Sequence, residues 1–429
     1  MEYKLITERS HLYAPNIHVL FIVEFCKVID TAALQEAIKK TLQKYPILRS
    51  SIHFDESGKA YYHIEDNSEP DFCVEVITDN RSWVSTAAHE QERPFILSRA
   101  PLIRFTCLKD DNKMQLMMCV HHIIADGLSC VRIIQDIMTF VQNPEQSVDV
   151  QKVYLLEDSE LYNKEKLALP VKLLVNWLNK QWSKSPYIFS EEDYYKMRQN
   201  YWCKRNHTIC VTKLNESQTE KLIEVCKKNR VTVNTMLTTT LLETAQKIDK
   251  RNKKAGIAAS IHSSGMNMGN FASGISLEYV YDTRKSIWDN AAFIQEHIKK
   301  KQNNIKSKYF FLTFLKALDV NLIDSMYFDL FGDFANKATH YLKSILEYKE
   351  KPIGLGISNL GKTELSAEFG IETAYFIPPL IANTDKIVGF ITTASGLNIV
   401  YQYSNQVNTE VNRQIFEAWI NRLKILSYN

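Results

Sequence analysis

The feature that most narrows the fold is a short motif at the end of an apolar run. Met114 to Val120 is apolar except for Gln115, long enough for one strand and too short for an ordinary helix. It leads into His121-His122-Ile123-Ile124-Ala125-Asp126-Gly127. A helical pattern follows over 128–142, with Val131, Ile134, Ile137 and Met138 on one side. Neighbouring side chains on a strand point to opposite faces. His121 and His122 therefore cannot readily share a metal ion; one turns to the core and the other can face a cleft. An imidazole in a cleft titrates near neutral pH and suits a general base. Asp126 marks the turn, and Gly127 permits a positive φ or the close approach of a ligand.

The chain around this motif has 429 residues, 45% hydrophobic and 24% charged. That length suggests two or three domains, and the composition excludes disordered, collagenous and coiled-coil classes. No apolar run reaches the roughly 18 residues of a membrane span. Met1-Glu2-Tyr3-Lys4 lacks the apolar core of a signal peptide. The eight cysteines are scattered, with no C-x-x-C pair and no zinc-like Cys/His spacing. We therefore expect a cytoplasmic protein without disulfides and with no metal. The net charge of +3 divides into −6 over residues 1–150, +1 over 151–200 and +8 over 201–429. The basic part lacks interleaved arginine and aromatic residues, so it reads as facing a phosphorylated ligand or an acidic partner, with no nucleic acid.

Periodicity predicts strands over 17–29, 48–54, 60–64, 102–108 and 114–121, with a helix over 31–45 capped by Asp30 or Thr31. Residues 143–200 differ in character. Val171, Leu174, Val175, Leu178 and Trp182 fall on one helical face, as in a connecting helix packed on the body, a lid, or a helix on a membrane surface. The pattern restarts after 205. Helices are expected at 218–228, 233–248, 287–302 and 409–426, and strands at 255–263, 275–281, 353–358, 373–377, 387–393 and 397–403. The expected class is α/β (α+β), divided as 1–150, 151–204 and 205–429.

His121-His122-x-x-x-Asp126-Gly127 resembles the HHxxxDG signature of the chloramphenicol acetyltransferase-like superfamily, which includes condensation domains of peptide synthetases and alcohol acyltransferases. Tyr45-Pro46-Ile47-Leu48-Arg49 is similar to its HPxLR segment, with tyrosine in place of histidine. The stretch from Arg93-Pro94-Phe95 to Pro101-Leu102-Ile103-Arg104 is similar to RPFDLxxxPLxR, with isoleucine in place of aspartate. Gly269-Asn270, within 265–271, and Ser358-Asn359-Leu360-Gly361 are similar to second-half segments of the family. The DFGWG segment of plant members is not visible.

The resemblance implies two subdomains forming a V with a tunnel between them and the motif at its centre. It implies an acyltransferase that moves an acyl group from a thioester to an alcohol or amine. His122 is then the general base, His121 a supporting residue, and Asp126 a structural residue in a salt bridge with Arg49. Ser358, Asn359 and backbone N–H groups near Gly127 become candidates for holding the oxyanion or substrate. No cofactor is bound permanently; the co-substrate is acyl-CoA or a phosphopantetheine thioester, CoA being favoured because the chain holds no carrier or adenylation segment. The partners are a small-molecule acceptor and an acyl or peptidyl carrier protein. The alternatives are a free-standing condensation enzyme of a peptide pathway and a non-catalytic scaffold with the same fold.

Two other features lead elsewhere. Gly356 to Thr363 matches GxxxxGK[ST] letter for letter, but its flanks make a poor strand and too short a helix for a phosphate loop. Lys299, Lys300, Lys301, Lys306 and Lys308 cluster near one helix end, where lysine is favoured by the helix dipole.

Overall fold

The computed structural model describes residues 1–78, 82–158, 162, 165–261, 268–365, 367–406 and 408–428. The strands of the first half are β1 (Glu2–Leu5), β2 (His18–Phe25), β3 (Ser50–Phe54), β4 (Ala60–Ile64), β5 (Asp71–Val76), β6 (Ile103–Lys109) and β7 (Met114–His121). Those of the second half are β8 (His207–Asn215), β9 (Lys254–Ser260), β10 (Ala272–Glu278), β11 (Leu355–Lys362), β12 (Ile371–Ile377), β13 (Lys386–Thr393) and β14 (Gly396–Ser404).

Every residue of β7 is buried, which is why its sequence is a continuous apolar run and not an alternation. It lies in the middle of a five-stranded sheet of order β12-β2-β7-β6-β5. β2 runs antiparallel to it, with His18 opposite His121. The edge partner of β2 is β12, a strand from the second half. One half thus completes the sheet of the other. The second half has its own sheet, β10-β9-β11-β13-β14-β8, and a small sheet β1-β4-β3 lies at the N-terminus.

Two main apolar cores result. The first joins β2, β6 and β7 to helix Gly127–Gln142, and takes in Leu322, Ile323 and Met326 of helix Val320–Phe331 and Phe376 of β12. The second packs helices Val233–Ile248 and Thr409–Tyr428 on β11, β13 and β14. Helix Leu169–Trp182 buries Val175, Leu178 and Trp182 in the first core. Val171 and Leu174 pack partly against the same core, while Leu169, Leu173 and Trp177 of this helix are exposed. No described helix is long and apolar enough to cross a membrane.

The helix expected at 31–45 is Thr31–Lys44, and Asp30 accepts from the Ala33 N–H at 2.9 Å as its N-cap. Pattern reading missed helix Val320–Phe331, whose buried residues include Asn321, Asp324 and Ser325 and so break the one-sided apolar pattern. It also missed β5, an edge strand whose second half is exposed. The GxxxxGKT match falls on extended β11, whose backbone pairs with β9 and β13 and cannot wrap a phosphate.

Candidate active site

β7 ends at His121, and the chain turns at once into the helix Gly127–Gln142. The turn is held from several sides. The His122 N–H donates to Ile17 O at 3.3 Å, and the Ile124 N–H donates to His121 O at 3.1 Å. From the small sheet, the Tyr62 hydroxyl donates to Ile123 O at 2.9 Å.

The two histidines have opposite surroundings. His121 is fully buried, facing His18 at 6.1 Å and Phe95 at 6.0 Å between ring centres. Its Nδ1 accepts from the Ile123 N–H at 3.4 Å, so its proton sits on Nε2, which has no partner among the described residues. His122 is half-buried. Its Nδ1 lies 3.0 Å from Ala125 O, and a carbonyl only accepts, so Nδ1 carries the proton. Nε2 is left with its lone pair. Burial lowers the pKa of His122 below the usual histidine value, and the nearby Asp126 carboxylate partly offsets it. A neutral imidazole with one fixed tautomer can accept a proton at Nε2 near pH 7.

Sequence reading missed a third histidine. His11 stacks on His122 with ring centres 5.0 Å apart and planes 3° from parallel. Burial, with His122 beside it, pushes its pKa down to about 3, so it stays neutral. It comes from the four-residue helix Arg9–Leu12, too short to show a period. Arg9, two residues before it, forms a buried ion pair with Asp324 of the second half.

Asp126 caps the helix by accepting from the Ser129 N–H at 2.8 Å. Its other carboxylate oxygen accepts from the Phe271 N–H at 3.0 Å. Its own N–H donates to Gly269 O at 3.1 Å, and the Ser129 hydroxyl donates to the same oxygen at 2.7 Å. The Asp126 loop is therefore clasped to residues 269–271 of the second half. Gly269 has φ +153°, and a Cβ there would lie 2.9 Å from the Phe271 ring. This explains Gly269 in the Gly-Asn segment; residues 265–267 of that segment lie outside the described residues.

The expected salt bridge between Asp126 and Arg49 does not form. Arg49 ends the turn Pro46–Arg49 and donates to three carbonyls, Leu42 at 3.1 Å, Asp66 at 3.0 Å and Glu65. It fastens the end of one helix to the loop after β4. The backbone of residues 269–271 takes the place beside Asp126 that the resemblance gave to arginine.

Gly127 is also explained differently from the expectation. A Cβ there would meet Leu360 at 2.5 Å and Phe376 at 3.0 Å. A side chain at 127 would have to displace second-half side chains that press on the helix start, and no positive φ is involved.

Of the two β11 candidates, Ser358 lies on the same strand face as Leu360, the face that meets Gly127. Its hydroxyl makes no hydrogen bond to described residues. Asn359 points the other way, donating to Asn234 at 3.2 Å and accepting from the Gly361 N–H at 2.8 Å. Its amide is occupied inside the second half. Near the turn, Ile17, which holds the His122 N–H, lines a cleft between the halves together with Asn16, Tyr327, Arg205 and Leu380. Asn16 is buried there, and neither polar atom of its amide has a partner among the described residues.

Comparison with known proteins places this geometry. A family model described as "Condensation domain" matches residues 9–255. A plipastatin synthase of Bacillus subtilis (strain 168) is 28% identical over 186 residues, covering 43% of this chain and 4% of that protein. Bacitracin synthase 1 of Bacillus licheniformis is 30% identical over 159 residues, 35% of this chain and 3% of that protein. The chain therefore spans only a few per cent of these curated relatives. Among solved structures, the first condensation domain of the CDA synthetase superposes with a TM-score of 0.69 at 13% identity, covering 100% of this chain and 97% of that one.

Proposed function

This chain belongs to the condensation domain family, and from that premise we propose that it joins an acyl or peptidyl thioester to an amine or hydroxyl, with His122 as general base. The donor is a phosphopantetheine thioester on a carrier protein. The curated relatives are peptide synthases, which favours the carrier-bound donor over the acyl-CoA that the sequence by itself favoured.

The observation that carries this reading is the tautomer of His122. With Nδ1–H given to Ala125 O, Nε2 is the atom free to take a proton. The neutral acceptor amine attacks the thioester carbonyl, and a C–N bond forms. One amine proton passes to His122 Nε2. The C–S bond then breaks, and the departing thiolate takes the proton back from Nε2. Atoms and charge balance without a covalent enzyme intermediate.

The oxyanion between these steps requires donors. The Ser358 hydroxyl is our candidate, on the β11 face toward Gly127. N–H groups at the start of helix Gly127–Gln142 add a favourable dipole. Asp126 and His121 act through the turn and not on the substrate. The division into 1–150, 151–204 and 205–429 stands as our proposal for the working units, with the tunnel between the first and last.

The test is product formation followed by mass spectrometry. The purified chain is offered an acyl group on a phosphopantetheinylated carrier protein, and in parallel arms the same group on coenzyme A. Aminoacyl-N-acetylcysteamine and simple alcohols serve as acceptors. Carrier-dependent product that is lost in His122→Ala supports the proposal. Product from acyl-CoA alone would return the donor to coenzyme A. No product in any arm, with the protein folded, would sink the catalytic reading and favour a scaffold.

A further inference from the structure

The small sheet β1-β4-β3 brings together Glu2, His53 and His63, one from each strand. We propose that these three side chains form a site for a divalent transition-metal ion of the zinc class, separate from the His122 centre and independent of the function proposed for it.

The register places the three on one face. Glu2 and Ser51 both lie opposite His63, from the two strands that flank it. His53 is two residues beyond Ser51 and so shares its face. One donor atom from each of the three ligands lies within 4.8 Å of the other two. Zinc–nitrogen and zinc–oxygen bonds of about 2.0–2.1 Å set tetrahedral donors roughly 3.4 Å apart. His63 Nδ1–H donates to Glu2 Oε1 at 3.3 Å in the metal-free protein, and an ion at the same spacing would take the place of that proton. The His53 ring stacks on that of His63 at 4.6 Å, with planes 7° apart. Its donor atom already lies within 4.8 Å of the other two, and a small movement of this exposed side chain that keeps the Ser51 contact closes the rest.

The residues behind His53 support the same reading. Ser51 Oγ donates to Glu65 Oε1 at 3.1 Å. A hydroxyl has one proton, so toward His53 Nε2, 3.2 Å away, Ser51 can only accept. His53 then holds its proton on Nε2 and keeps Nδ1 bare. A carboxylate acting through a polar group on the far nitrogen of a histidine is the usual way a ligand's tautomer is fixed and its basicity raised. Two imidazoles and a carboxylate, with the Glu65 carboxylate behind Ser51, give a donor set that suits a dication. Three protein ligands leave a fourth position for water.

An ion here would clip β1 to β3 and β4. The chain from β1 continues within a few residues to Arg9 and His11, so the clip anchors the segment that reaches the His122 turn.

The test uses tag-free protein dialysed against chelator, then titrated with zinc by calorimetry and with cobalt(II) by visible absorption. We expect one ion per chain, together with a rise in melting temperature. His53→Ala and Glu2→Gln should each weaken binding by about tenfold or more, since even outer-shell changes cost a metal site that much. Both positions are exposed, and melting without metal checks that the variants fold. Wild type that binds no zinc at millimolar concentration would overturn the proposal. So would equal affinity in wild type and the His53→Ala/His63→Ala double variant, which would place the ion at other histidines.

Discussion

His121 and His122 are adjacent in sequence, yet they lie in two regions with little in common. His121 belongs to a sealed interior with His18, Phe95 and the buried Arg104–Glu90 pair. His122 belongs to a turn at the meeting of the two halves, half-buried and stacked on His11. Burial lowers both pKa values. They differ in which nitrogen holds the proton and whether the other can be reached. A protein can place two identical side chains side by side and give them different work, because a strand sends neighbours to opposite faces and the backbone acceptor then selects the tautomer.

The sharpest way to break this comparison is to truncate each histidine in turn. His122→Ala should lower kcat by roughly 10²–10⁴-fold, the range for losing a general base, with a melting temperature close to wild type. His121→Ala should chiefly lower stability, because it opens a cavity in the core. Equal loss of kcat in both, with both proteins folded, would erase the distinction.

Acidity tests the same pair from another side. The lowered His122 pKa means that activity holds near neutral pH and falls only as pH drops below the ordinary histidine range. Stability should follow the other buried histidines. Their folded pKa values lie below the unfolded value, so the unfolded chain binds more protons once pH falls below about 6.5, and stability drops from there. His11 and His207, each pushed down to about 3, extend the loss to that pH. Glu8 runs in the opposite sense. Burial and the neighbouring Glu157 raise its pKa to about 8, so stability is complete below its unfolded value and declines as pH rises toward 8. Glu8→Gln should therefore raise the melting temperature at pH 8 and change it little at pH 4. A melting series over pH 3–9 checks both arms.

Asp126→Ala removes a helix cap and leaves the Phe271 N–H without its carboxylate, a loss of about 1–3 kcal/mol in denaturant melts. Arg49→Met should cost less, about 0.5–1.5 kcal/mol, because it removes the donor shared by the Leu42, Glu65 and Asp66 carbonyls, which water can partly satisfy, with kcat unchanged. Loss of activity without loss of stability in the arginine variant would reinstate a direct link between Arg49 and the site. The smallest effect should come from His11→Ala. A neutral ring stacked on an imidazolium is worth about 0.5–1 kcal/mol, or roughly a two- to five-fold fall in kcat with the His122 pKa shifted down. His11→Phe should restore both, and an NMR titration of His122 reads the shift without turnover.

Much of the frame was legible because local rules governed it. The buried run of β7, the amphipathic helix after Gly127 and the Asp30 cap each follow from short-range pattern. The motif pointed to His122 on one strand end. Asp126 was read as a structural residue of the turn, but its partner was misassigned. What the pattern missed came from distance in sequence. The bond from Phe271 to Asp126 spans 145 residues, and Leu360 and Phe376 reach Gly127 from more than 200 residues away. No spacing within a motif encodes such contacts. The same holds for Glu2, His53 and His63, whose strands must pair before the three side chains meet.

The sequence by itself determined the order of most strands and helices, and put a pair of histidines at the end of a buried strand, because hydrophobic period and turn chemistry act over a few residues. Tertiary structure decided which half completes the first sheet, what holds Asp126, why residue 127 is glycine and where Arg49 is spent. Those outcomes depend on surfaces brought together only when the two halves close, and there backbone groups of residues 269–271 took the place that sequence reading had given to a charge.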